Sequence, residues 1–188
     1  KAIGEFQRAI ELDPNYALAL TGLADVYALQ ANSANGEERD RLYEKSRTTL
    51  TNALRIDESL AEAHTTLGWI KRIHDWDWAE SEKEFKRALE LNPNSVNAHQ
   101  WYALLLTTLG RTDEALTQIE KARELEPLSV IVLRNYFVVR QYRRENFLLP
   151  DLAEQIAELD DSNAKRIRLI AAARTGNYAK VIEIGEVG

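Results

Sequence analysis

The phrases "AIELDP", "ALRIDE", "ALELNP" and "ARELEP" recur along this chain, and no other feature narrows its possible folds as far. They open at Ala9, Ala53, Ala88 and Ala122, with a weaker copy, "IAELDD", opening at Ile156. Successive separations are 44, 35, 34 and 34 residues. Self-similarity at such a period means one supersecondary unit per copy, stacked so that neighbours bury what each unit alone would expose. Within the copies a small residue lies seven positions before the opening residue and a bulky one three before it. Ala2-Phe6-Ala9, Ser81-Phe85-Ala88 and Ala115-Ile119-Ala122 are examples. That spacing puts all three on one helix face.

A second amphipathic stretch precedes each of these helices by about half a period, as in "YALALTGLADVYAL", "LAEAHTTLGWIKRI" and "VNAHQWYALLLTTLG". Gly110 and Gly176 stand where paired helices must turn tightly. Pro14, Pro93 and Pro127 follow second helices, which a missing N–H prevents from continuing. Ser59 with Glu62 reads as a capping box, and Asn15 reads as a cap for the next helix. The unit is helix–turn–helix and the class is all-α. The first full copy carries about ten extra residues, which fall in "ANSANGEERD" and read as a loop near 31–41. Pro150 falls in the first turn of a helix, where proline is tolerated.

The residues Leu67-Gly68, Ser81, Phe85, Ala88 and Pro93, and again Gly110, Ala115, Ala122 and Pro127, resemble the tetratricopeptide repeat family. The resemblance covers nearly the whole chain as a single array. It runs as half a repeat at 1–16, then repeats at 17–60 (with the insertion), 61–95, 96–129 and a degenerate 130–163, and a truncated repeat at 164–188. It implies a right-handed superhelical solenoid of antiparallel helix pairs whose first helices line a concave groove. The run from Leu60 to Leu106 also resembles the repeat region of some bacterial multidomain regulators, where it follows a winged-helix or kinase domain. The chain starts and stops within second helices and has no methionine, so it reads as part of a longer protein.

Composition limits the functions available. A formal charge of -6 disfavours nucleic-acid binding by this segment, and the absence of cysteine removes disulfides and thiolate metal sites. No apolar run reaches the roughly 18 residues of a membrane span, and the start is not a signal peptide. A cytoplasmic location fits. No Ser-His-Asp set, phosphate-binding glycine loop or HExxH segment is visible, so the expectation is no enzyme, no cofactor and no metal. His64 and His99 recur at one repeat position, which points to packing.

The stretch "HDWDWAE", residues 74–80, gathers His74, Asp75 and Asp77 with two tryptophans. Carboxylates and an imidazole on one short turn are a weak metal arrangement. Aligned with "GNYAKV", Trp78 instead opens the second helix, Asp77 caps it, and the single extra residue of this repeat falls beside Trp76. The groove is the better site candidate. First-helix positions 2, 5, 9 and 12, with 6 at the edge, face it in the family that the chain resembles. These positions supply Thr65, Trp69 and Arg72, then Gln100, Trp101 and Leu104, then Arg134, Val138 and Gln141, with Arg168 further along. Trp69 and Trp101 would form an aromatic shelf, and the arginines would take carboxylates. The lysine-asparagine-arginine clamp of the co-chaperone subgroup is missing, since Thr21, Asp25, Thr66, Asn97 and Trp101 stand at the corresponding positions. The expected function is protein–protein interaction, with a peptide or helix of a partner, acidic in character, in the groove of a larger bacterial regulator of transcription. The alternative is a structural segment that self-associates or packs against further domains of its own chain.

Overall fold

The computed structural model describes residues 2–160 and 164–186, and among them there is helix and turn but no strand. The helices are α1 (Ala2–Leu12), α2 (Ala17–Ser33), α3 (Gly36–Ile56), α4 (Ala61–Ile70), α5 (Trp78–Leu91) and α6 (Val96–Thr108). They continue as α7 (Thr112–Leu125), α8 (Val130–Tyr142), α9 (Leu149–Leu159), α10 (Ala164–Arg174) and α11 (Tyr178–Glu186). The expected repeat boundary at residue 163, and the start of the shortening expected after Asp161, lie outside the described residues. Residues 1–98 and 99–188 form two compact units.

The repeated three-residue pattern is the spine of each helix pair. Ser46, Leu50 and Ala53 on α3, Ser81, Phe85 and Ala88 on α5, and Ala115, Ile119 and Ala122 on α7 have no exposed surface. Small residues at the ends of each triplet let the paired helix approach closely, and the bulky middle residue fills the gap. Contact is close enough at Gly68 that an added Cβ would lie 2.9 Å from the Phe85 ring. Buried serines complete the seam: Ser46 donates to the Ala24 carbonyl at 2.8 Å and Ser81 to the Gly68 carbonyl at 2.7 Å.

Two helix starts differ from expectation. Ser59 does not cap α4; its N–H and hydroxyl both donate to Asp57 Oδ1, at 2.9 and 2.6 Å. Nor does Asn15 cap α2, because its N–H donates to Asp13 Oδ1 at 3.0 Å. Asn92 accepts from the Asn94 N–H in the same way, at 3.1 Å. The Asp or Asn of these three phrases therefore closes a side-chain turn after its helix, and that turn competes with capping of the next.

The insertion differs more. Residues expected as a loop over 31–41 are helical except at Ala34 and Asn35, so the extra length extends both α2 and α3. Ala31 is fully buried, and Tyr43 donates to Asn32 Oδ1 at 2.8 Å across the hairpin. Tertiary contact overrides the turn composition here. Pro150 does sit in the first turn of α9, as its sequence position predicts.

The single extra residue of the α4–α5 repeat is absorbed by a π-helical turn over Lys71–Asp75. Trp76 follows in left-handed backbone, φ 57°, which costs a residue bearing a Cβ about 1–2 kcal/mol. The Asp77 N–H bonds back to the Lys71 carbonyl at 3.0 Å. Asp77 then caps α5, accepting from the Glu80 N–H at 3.2 Å. His74 lies between Asp75, 2.8 Å away, and Asp40, 3.1 Å away, with its ring 4.7 Å from that of Tyr43. No group of three His, Cys, Asp or Glu converges as a metal site among the described residues.

Candidate functional site

In the unit formed by residues 99–188, the first helices α8 and α10 flank a cleft of about 260 Å³. Phe137, Ile156 and Ile167, all buried, are among its lining residues, together with half-buried Val138 and Ile170. Arg134, Asn135, Gln141 and Arg166 supply its polar lining. The interior is thus apolar and the charge entirely positive, a combination that accepts an apolar side chain with a nearby carboxylate.

The arginines of this unit divide into two groups. Arg140 pairs with Glu120 at 3.0 Å and also with Glu145, while Arg143 pairs with Asp113 and with Glu145 at 2.9 Å. Burial lowers the pKa of Arg140, yet bonds to Glu145 and Tyr136 raise it overall, so its charge is held by the fold. Arg168 binds Glu154 on α9 through three contacts of 2.6 to 3.0 Å, and that pairing lowers the Glu154 pKa. Arg134 and Arg166, by contrast, have no acidic partner among the described residues. With its carboxamide oxygen turned toward Arg174, Gln141 accepts from that guanidinium at 2.7 and 3.0 Å.

The expected site residues therefore separate. Arg134, Val138 and Gln141 come together in the cleft. Arg168 is taken up by Glu154, and the α10 arginine that reaches the cleft is Arg166. Thr65 and Gln100 have only 3% of their surface exposed. Thr65 bonds to the Ala61 carbonyl at 2.8 Å, and Gln100 accepts from Asn135 on α8 at 2.9 Å. The first bond stays within α4 and the second joins α6 to α8, and both residues offer little surface to a ligand. Leu104 is half-buried. Trp69, in the unit of residues 1–98, is half-buried beneath the Arg72 guanidinium, whose centre is 5.5 Å from the ring centroid. Trp101, in the other unit, is also half-buried. Burial lowers the Arg72 pKa, and its Nε is buried without an acceptor among the described residues.

The recurring histidines join helices. His64 Nδ1 meets Glu84 on α5 at 2.7 Å, and His99 Nδ1 meets Gln118 on α7 at 2.7 Å. Burial raises the Glu84 pKa, but bonds from His64 and Lys71 outweigh it and leave the carboxylate below its ordinary value. In the first unit, Asp25 on α2 accepts from Thr66 on α4 at 2.5 Å. Burial, with a smaller contribution from the charge of Glu62, raises the Asp25 pKa to about 6 despite that bond.

An array of helix pairs with serine and alanine seams is the architecture of tetratricopeptide repeat proteins, and residues 84–117 match the family model described as a tetratricopeptide repeat. Anaphase-promoting complex subunit 3 of Schizosaccharomyces pombe is 29% identical over 122 residues, which cover 65% of this chain but only 16% of that protein. The fold is similar to the crystal structure of YrrB, a tetratricopeptide protein with an unusual peptide-binding site. There the TM-score is 0.60 at 21% identity, over 91% of this chain and 81% of that one. It is similar also to PilW, a type IV pilus biogenesis factor, with a TM-score of 0.78 at 16% identity over 96% of this chain and 80% of that one. The fold is therefore an all-α solenoid of the tetratricopeptide type. Such folds generally mediate contacts between proteins. No helix among the described residues is long and apolar enough to cross a membrane.

Proposed function

We propose that this chain binds a segment of a partner protein in the α8–α10 cleft, and that the segment places an apolar side chain between flanking carboxylates. One observation carries the reading: Arg134 and Arg166 line an apolar cleft without acidic partners among the described residues, while Arg140, Arg143 and Arg168 of the same unit are all paired. An arginine held at an apolar surface without a counter-ion is available to a ligand carboxylate in a way that a paired one is not. The peptide-binding role of YrrB supports the same kind of ligand. The chain matches 16% of its curated relative, which suits a receptor segment within a larger cytoplasmic regulatory protein.

The test is a calorimetric titration with a capped peptide carrying two leucines between glutamates, set against the same peptide with lysines for glutamates. The glutamate peptide binds and the lysine peptide does not. Arg134→Ala and Arg166→Ala each weaken binding by about 1 kcal/mol, an effect that shrinks as salt rises. Val138→Trp fills the cleft and abolishes binding while the helical spectrum is kept. Equal binding of both peptides would refute the proposal.

A further inference from the structure

Trp76 is used neither by the helix pairs nor by the cleft. The turns between α6 and α7 and between α10 and α11 each need one residue in left-handed backbone, and they use glycine: Gly110 at φ 76° and Gly176 at φ 74°. The turn between α4 and α5 puts Trp76 in the left-handed region instead, as the turn between α8 and α9 does with Arg144 at φ 61°, but only at Trp76 is the residue a large apolar ring. A Cβ makes that backbone more costly than it is for glycine. The side chain does not recover the cost in the core, because Trp76 is 71% exposed. A strained residue whose large apolar ring faces water is better explained by recognition than by folding.

The surroundings indicate what would be recognised. The Trp76 ring meets that of Trp78 with centroids 6.4 Å apart and planes tilted by 52°, so the two present a bent aromatic surface. Carboxylates flank Trp76 on both sides in sequence. Asp75 is occupied by Arg47 at 2.6 Å and His74 at 2.8 Å. Asp77 accepts the Glu80 N–H at 3.2 Å and has no cation in ion-pair range among the described residues. An exposed indole beside a carboxylate that caps a helix and feels the Lys83 charge, but stands in no ion pair among the described residues, is the chemistry that holds a cationic side chain, by cation–π attraction and a charge-assisted hydrogen bond.

We propose that Trp76, Trp78 and Asp77 form a second interaction surface, which takes an arginine or lysine side chain from a partner protein. Its charge preference is opposite to that of the α8–α10 cleft, so the two can be tested separately with probes of opposite sign. The probe is a capped peptide alternating glycine and arginine, with the glycine–glutamate peptide as control, added to the full chain. The readout is the four indole N–H signals in a nitrogen–proton NMR spectrum, assigned by single Trp→Phe variants. The arginine peptide shifts the Trp76 signal, and that of Trp78, saturably, and the glutamate peptide does not. Asp77→Asn weakens the response about three- to fivefold, the size expected of one exposed charge contact. Trp76→Gly loses the response and melts at the wild-type temperature or above it, because the backbone is relieved and no core contact is lost. A lower melting temperature for Trp76→Gly would make the residue structural and overturn the proposal. So would a Trp76 signal that stays still, or that moves equally with both peptides.

Discussion

Asp25 sits where α2 and α4 meet, and its chemistry gives the chain a predictable pH response. Burial and the nearby Glu62 charge raise its folded pKa from 3.8 to about 6, against the opposing bond from Thr66. The folded state thus holds this proton more tightly than the unfolded state does. The associated stability is fully present below about pH 4 and is lost as pH rises through about 6. Between about pH 4.5 and 7.5 the group should remove roughly 2 kcal/mol. Asp25→Asn, whose carboxamide oxygen can still accept from Thr66, should abolish that part of the difference and be the more stable protein near pH 7.5. Urea melts of both proteins at the two pH values measure it, and an unchanged pH dependence in the variant would show that Asp25 is not the source. The sequence offers Asp25 and Thr66 only as first-helix positions of successive repeats, since their pairing depends on how two repeats meet. Asp77 was legible as a cap because a cap is local. Ser59 was not, because Asp57, two residues away, competes for the same serine.

At the level of the helix, the seams dominate stability. Ala88 and Ala122 are fully buried where paired helices meet, so Ala88→Glu or Ala122→Glu should each destabilise by about 3 kcal/mol or more, since a carboxylate would be forced into a site without a partner. Gly68→Ala should cost about 1–3 kcal/mol because the Phe85 ring would have to move. Thermal and denaturant melts check all three, and wild-type stability in any of them would mean that the register is misplaced. These positions were readable in advance because the period, the small residues and the bulky residue repeat together. The insertion was not. Asn, Ser and Gly argue for a loop, but one buried alanine and the Tyr43–Asn32 bond keep those turns helical, and contacts across a hairpin leave no local mark.

Across the whole chain, the repeat pattern prefigured the all-α solenoid, while the cleft was only half visible. Arg134, Val138 and Gln141 follow from counting along a regular repeat. Arg166, and not Arg168, lines the cleft for a simple reason of register. The last repeat is two residues short before Gly176, so matching Gly176 to Gly110 places Arg166, not Arg168, at the position of Arg134. Which arginines are neutralised is beyond sequence counting, because Glu145, Asp113 and Glu154 reach their partners across turns and between helices. Amide hydrogen exchange with and without the leucine–glutamate peptide tests the central claim most directly, since it reports where the ligand sits and not merely that it binds. Protection should rise along Val130–Tyr142 and Ala164–Arg174, with α3 and α5 unchanged, and the rise should vanish in the Arg134→Ala, Arg166→Ala double variant. Protection confined to other helices, or undiminished in that variant, would contradict the assignment of the cleft as the partner site.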